Sequence, residues 1–334
     1  MESRRADVVT ANGRRNFMVA MSALLTASLS RAQTSAKVYR VTFLLTTPPQ
    51  SFQHLLTALN EGLRSHGYVE GRNLVMEYRH ADGKSERLPE LAMEIVRSRP
   101  DVIVTGTNPQ THAVKRATQT IPVVMIVGTD VINEGFAASL GRPGGNITGL
   151  TWDVGIAMIG KRFEFLKEAV PKLSRVAVLW DPAADPAAFE SAIKDGAANV
   201  GLKLIWLTFA GDLEAHFAEA QRAGAEAIFT GGGARLFLAR KEIVALAARY
   251  RMPDMHYTAE FVEAGGLMSY APNLPDMFRR AAVHIDKILR GARPAELPIE
   301  QPTRLDLVIN LRTAKALGLS LPNSLLLRAD RVLE

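Results

Sequence analysis

Gly141-Arg142-Pro143-Gly144-Gly145-Asn146-Ile147-Thr148-Gly149-Leu150-Thr151-Trp152-Asp153 lies near the middle of a 334-residue chain and separates two runs of strand-like and helix-like sequence. Its glycines permit backbone angles that other residues resist, which suits either a hinge between two lobes or a long surface loop. The segments on each side decide between these readings.

Upstream, residues 38–45 form a strongly β-prone run, and Phe52, Leu55, Leu56, Leu59 and Leu63 then recur at helical spacing before Gly67. Leu74, Met76 and Tyr78 alternate as a second strand. Ser85 caps a helix reaching about residue 99, with Leu88, Leu91, Ile95 and Val96 on one face. Strands over 102–105 and 123–127 enclose a loop at 106–109 and a helix to about 118. Successive β-α units imply a parallel sheet covered on both faces.

Downstream the alternation restarts. The pattern predicts helices over 154–169, 187–200, 212–223 and 236–250, and strands over 175–180, 203–208, 227–230, 255–257 and 267–270. A helix over 274–290, a strand over 305–309 and two short terminal helices are too few for a third domain. They must complete the two sheets, so the chain crosses between lobes more than once. The fold class is α/β, with two doubly wound parallel-sheet lobes, and the glycine-rich stretch is read as their first hinge.

With 47% hydrophobic and 22% charged residues, the composition is globular and the length suits about two domains. Arg14-Arg15 precedes an apolar run over 17–29, too short to span a bilayer comfortably, and Ser30-Arg31-Ala32 follows with small residues for a signal peptidase. Residues 1–32 therefore read as a signal peptide, and Arg14-Arg15-Asn16-Phe17-Met18 resembles a twin-arginine signal. That segment holds Arg4, Arg5, Arg14, Arg15 and Arg31 against Glu2 and Asp7, so half of the formal +6 charge leaves with it. The nucleic-acid signal fades accordingly. The chain has no cysteine, which excludes disulfides, thiolate metal sites, a cysteine nucleophile and a lipidated N-terminal cysteine. The mature protein is expected free in the periplasm.

In open parallel sheets, ligands bind beyond the carboxyl ends of the strands, where loops lead into helix N-termini. The first lobe then offers Thr46, Thr47, Thr107, Asn108, Thr129 and Asp130. The second offers Asp181, Gly232, Gly233, Tyr257 and Glu260, with Trp152 and Tyr270 near the connections. This set suits a small polar molecule with an apolar part. Asp130, Asp181 and Glu260 favour a ligand with a positive group, and Trp152, Tyr257 and Tyr270 favour a flat one. Gly231-Gly232-Gly233 sits between a strand and a helix, yet the chain lacks the GxGxxG and GxxxxGK[ST] patterns, so no cofactor is expected. It also lacks a G-x-S-x-G elbow. Its histidines have no metal spacing, and His256 with Glu260 is the one pair near the proposed cleft.

Several stretches together resemble the solute-binding proteins of ABC importers, in the branch that includes tryptophan- and tyrosine-binding members. They include Gly67-Tyr68-Val69-Glu70-Gly71-Arg72-Asn73, Arg142-Pro143-Gly144-Gly145-Asn146-Ile147-Thr148-Gly149, Gly265-Gly266-Leu267-Met268-Ser269-Tyr270 and Glu300-Gln301-Pro302-Thr303. The resemblance implies a type I periplasmic-binding fold with crossings near 150–153, 271–274 and 298–304. Lobe one would comprise 37–150 with 274–298, and lobe two 151–273 with 299–334. It also implies a monomer that clamps a small-molecule solute, with the 106–108 loop gripping a polar end, and then docks on a membrane ABC permease. Departures from the family are Asn108 and Pro109, where small residues are common. Two other readings are an exported α/β hydrolase using His256 and a ligand-sensing regulator of lactose-repressor type. The second would need a DNA-reading helix-turn-helix where the export signal stands.

Overall fold

The computed structural model describes residues 37–46, 48–153, 157–182, 187–209 and 211–334; the expected signal peptide at 1–32 and the expected site residue Thr47 lie outside these. Tyr39–Leu45 (β1), Leu74–His80 (β2), Val102–Thr105 (β3), Val123–Gly128 (β4) and Ile147–Thr151 (β5) form a parallel sheet in the order β2-β1-β3-β4-β5. β3 reads Val-Ile-Val-Thr and is buried along its whole length, as a central parallel strand covered on both faces requires. Gln53–Ser65 (α1), Leu88–Ser98 (α2) and Asn108–Ala117 (α3) connect the strands. The helix expected from Ser85 begins instead with a 3-10 turn over Ser85–Arg87.

The second sheet contains Arg175–Trp180 (β6), Lys203–Thr208 (β7), Ala227–Thr230 (β8), Asp254–His256 (β9), Met268–Pro272 (β10), Leu305–Asn310 (β11) and Arg331–Leu333 (β12). Their order is β12-β11-β10-β9-β8-β6-β7. The sheet is parallel from β7 to β10, while β11 runs antiparallel to β10 and β12 pairs parallel with β11. Its helices are Ala157–Ala169 (α4), Ala187–Asn199 (α5), Leu213–Arg222 (α6), Ala234–Leu238 (α7), Arg240–Arg249 (α8) and Ala259–Glu263 (α9). The single helix expected over 236–250 is thus broken at Ala239. Leu274–Leu289 (α10), Leu311–Ala316 (α11) and Asn323–Leu326 (α12) complete the chain. β12 lies where only helices were expected, because a three-residue edge strand with an exposed Val332 carries no readable alternation.

The glycine-rich stretch is only partly a loop. Ile147–Thr151 is a fully buried strand, and Gly149 within it has φ +127°. A Cβ on Gly149 would stand 2.0 Å from the Met125 carbonyl oxygen, so glycine permits the close approach of β5 to β4. The register slips between Met125 and Gly128, which marks a bulge. Beyond it the Gly128 carbonyl accepts both the Trp152 N–H at 2.6 Å and the Thr151 hydroxyl at 2.8 Å. The bulge therefore sets where Trp152 leaves the sheet.

The chain passes from β5 of the first sheet to β6 of the second, then from β10 to α10. Asn273 caps α10 by accepting the Asp276 N–H at 2.9 Å, and the apolar face of that helix lies on α1. Gly62 of α1 makes this packing possible, since a Cβ there would meet the Arg279 carbonyl oxygen at 2.5 Å. After α10 the chain runs beside β5, with Glu300 N–H donating to Gly149 at 2.9 Å and Thr151 N–H to Glu300 at 3.0 Å, before entering β11. The first and last connections are joined again where Gln301 Nε2 donates to the Asp153 carbonyl at 2.9 Å. No helix among the described residues is long and apolar enough to cross a membrane.

Candidate functional site

A cavity of about 150 Å³ opens between the carboxyl ends of the two sheets. The first sheet contributes Thr46 after β1, Thr107 and Asn108 at the start of α3, Thr129 after β4 and Trp152 after β5. The second contributes Asp181 after β6, Gly232 and Gly233 after β8, and Tyr257 after β9. Parallel topology explains the convergence, because every β-to-α turn of such a sheet emerges at the same end.

The polar wall of the first lobe is largely self-satisfied. Gln110 Oε1 accepts the N–H groups of Gly106 at 2.6 Å and Thr107 at 2.9 Å, and its Nε2 donates to Thr46 Oγ1 at 2.8 Å. Asn108 is held by Thr129: its Nδ2 donates to the Thr129 carbonyl at 2.8 Å, and its Oδ1 accepts the Thr129 N–H at 2.9 Å. The loop expected to grip a polar end thus spends two of its amides on Gln110, and Asn108 acts as a clip between two loops.

Charge is concentrated on the second lobe. Asp181 is 1% exposed, and Arg235 embraces it with Nε donating to Oδ2 at 2.8 Å and Nη2 to Oδ1. Hydrogen bonding to this carboxylate raises the pKa of Arg235 further, so the guanidinium stays charged. Arg162 of α4 also lines the cavity although it is only 3% exposed, and its Nε donates to the Tyr270 carbonyl at 2.8 Å. The Tyr257 hydroxyl donates to the Gly233 carbonyl at 2.8 Å. Phe52 and Phe237 add apolar wall from opposite lobes.

Three expected residues lie away from this cavity. Asp130 gives its N–H to Asp153 Oδ2 at 2.6 Å and its carboxylate accepts from Asn133 Nδ2 at 2.8 Å, so it serves the first connection. Glu260 lies in a separate small cleft with Asn273 and Asp306, its Oε1 3.5 Å from His54 Nε2. Tyr270 packs edge-on against Phe165 and reaches the site only through the carbonyl that holds Arg162. His256 is fully buried, with Nε2 2.9 Å from Asp254 and the ring stacked on Phe261. It forms no exposed pair with Glu260.

Sequence reasoning passed over Arg162, Arg235, Phe52, Phe237 and Gln110. A signal existed for Arg162, which occupies an apolar repeat position with Ile159, Phe163 and Leu166. Burial of an arginine at such a position indicates a charge with a task. Arg235 carried no signal beyond its place shortly after three glycines.

The sequence model of the family described as ABC transporter substrate binding protein matches residues 45–333. The chain is 22% identical over 261 residues to a protein named tyrosine-binding protein from Clostridioides difficile, covering 78% of this chain and 75% of that one. Among solved structures, a conserved domain protein from Vibrio cholerae is similar with a TM-score of 0.82 and 26% identity, covering 89% of this chain and 100% of that one. An ABC domain from Streptococcus pneumonia in complex with L-Trp has a TM-score of 0.81 and 21% identity over the same shares. These likenesses assign the two lobes to the type I periplasmic-binding fold. With the family match running from the end of β1 through β12 and taking in all of the cavity lining except Phe43, the chain belongs to the ABC transporter substrate-binding proteins.

Proposed function

We propose that the protein is a periplasmic receptor that captures one small solute between its lobes and delivers it to an ABC permease in the inner membrane, changing no bond of the solute. The observation that carries this reading is the cavity of about 150 Å³ walled by both sheets. A volume near 150 Å³ accommodates a benzene-sized body, so the site suits one ring-bearing metabolite with a polar end, an amino acid or another aromatic compound. The names of the tyrosine-binding and tryptophan-bound relatives agree with that size class.

In this reading, 37–150 with 274–298 and 151–273 with 299–334 are the moving lobes, and the three connections are the hinge. Solute contacts both walls only on closure, so it shifts the population by its differential affinity. Moving from mostly open to mostly closed takes about 5 kcal/mol of such preference, within reach of a few charge-assisted hydrogen bonds and a stacked ring. Export through the segment 1–32 would leave a mature, unanchored monomer.

The test is a thermal-shift screen of the mature protein against amino acids, aromatic acids and nucleobases, with tryptophan fluorescence as a second readout because Trp152 lines the cavity. One solute class should raise the melting temperature and change the emission. Silence across the whole library would overturn the receptor reading.

A further inference from the structure

The backbone N–H groups of Gly106, Thr107 and Thr129, all on the cavity wall, are taken by two side-chain amides of the chain itself. Gln110 Oε1 accepts from Gly106 at 2.6 Å and Thr107 at 2.9 Å, and Asn108 Oδ1 accepts from Thr129 at 2.9 Å. The other ends of both amides are also engaged, Gln110 Nε2 donating to Thr46 Oγ1 at 2.8 Å and Asn108 Nδ2 to Thr129 Oγ1 at 3.0 Å. Both side chains belong to buried residues.

The first turn of the ten-residue α3 carries a partial positive charge and N–H donors that would ordinarily attract an anion. Here the Gln110 carbonyl oxygen occupies that place. A solute carboxylate brought to this wall would face an acceptor oxygen. To reach the N–H groups it would have to expel a buried amide from its bonds to Gly106, Thr107 and Thr46, and a buried amide without partners is costly. What the wall still offers is neutral, because the hydroxyls of Thr46 and Thr129 each accept one bond and keep a proton to donate.

We infer that Gln110 determines specificity by closing the first-lobe wall to anionic groups, so that the part of the solute meeting this wall is an uncharged acceptor such as a hydroxyl, carbonyl or amide. The inference rests on the receptor reading above and narrows it to the chemistry of one end of the solute.

The experiment is calorimetric titration of the mature protein with benzoate and with benzamide, which differ in charge at one end. Gln110→Ala uncovers the Gly106 and Thr107 N–H groups. It should shift the preference toward benzoate by at least about tenfold relative to the wild type, as hydrogen bonds to a charged acceptor allow. Gln110→Glu keeps an acceptor on the same two groups and should show no such shift. Its carboxylate, held by two N–H groups at a helix N-terminus, titrates below its unfolded value. The melting temperature of Gln110→Glu relative to the wild type should therefore be higher at pH about 7 than at pH about 4. This second readout needs no ligand and stands even if Gln110→Ala does not fold. A folded Gln110→Ala without the shift toward benzoate, the same shift in Gln110→Glu, or a pH-independent difference between Gln110→Glu and the wild type overturns the inference. Each of these leaves the receptor reading standing as long as some solute stabilises the wild type. Stabilisation by no solute overturns both.

Discussion

Phe52, in the turn leading into α1, stacks on Phe237 of α7 with ring centroids 5.1 Å apart and planes 10° from parallel. One ring belongs to the wall below the first sheet and the other to the wall below the second, and the Arg240 guanidinium lies 4.5 Å from the centroid of the Phe237 ring. The pair joins the two lobes across the cavity wall, and in the receptor reading proposed above it forms as the lobes close. Phe52→Ala should weaken solute binding by roughly three- to tenfold, the worth of an aromatic pair of about 0.5–1.5 kcal/mol. Titration of the solute identified by thermal shift measures this, and an unchanged Kd would separate the stack from closure.

Asn108 spends both ends of its amide on Thr129. Asn108→Ala would strip partners from the Thr129 N–H and carbonyl together, and the expected loss of folding stability is about 1–3 kcal/mol. Urea denaturation followed by circular dichroism reads it. A midpoint equal to that of the wild type would mean that water replaces the clip without penalty.

Gly149 and Gly145 make a controlled comparison within one stretch. A Cβ at Gly149 meets the Met125 backbone at 2.0 Å, whereas one at Gly145 meets nothing within 4 Å. Gly149→Ala should therefore lose more than about 4 kcal/mol or fail to accumulate in soluble form, while Gly145→Ala melts within a few degrees of the wild type. Equal melting temperatures for the two variants would remove the bulge from the account.

His284 of α10 lies behind the last connection, 1% exposed, with Nε2 donating to the Pro298 carbonyl at 3.1 Å. Burial lowers its pKa below the ordinary imidazole value of 6.5, partly opposed by that hydrogen bond and by the Glu300 carboxylate 3.9 Å away. As pH falls through about 6.5 the unfolded chain takes up this proton before the folded chain does. Its contribution to stability is thus fully present above that value and is lost as pH falls toward the lowered folded value. Denaturation at pH about 7.5 and about 5.5 should show the loss, and His284→Gln, which keeps a donor, should reduce it. An equal decline in the variant would assign the acid sensitivity to other groups.

Most of the architecture was legible because the central parallel strands are mostly short apolar runs bracketed by helix-periodic sequence. β3, β6, β7 and β8 coincide with the ranges read from pattern alone. β5 was hidden because Gly149 stands inside it, and glycine in a strand resembles a loop until the bulge against β4 is seen. The loops of the site were legible for a topological reason, since parallel strands deliver all their C-terminal turns to one end.

The sequence by itself determined two α/β lobes, an architecture of repeated chain crossings and the loops that face the cleft, while its motifs carried the resemblance to the family. Local periodicity carries that information, because each residue's strand or helix neighbours lie within a few positions. Only the tertiary structure decided which loop side chains enter the cavity and what charge they leave there. Asp181 and Arg235 are separated by 54 positions, and Arg162 is oriented by a carbonyl 108 positions away. No spacing rule links such residues. Their meeting depends on how two sheets and three connections pack, and that packing sets the Arg235 guanidinium on the Asp181 carboxylate.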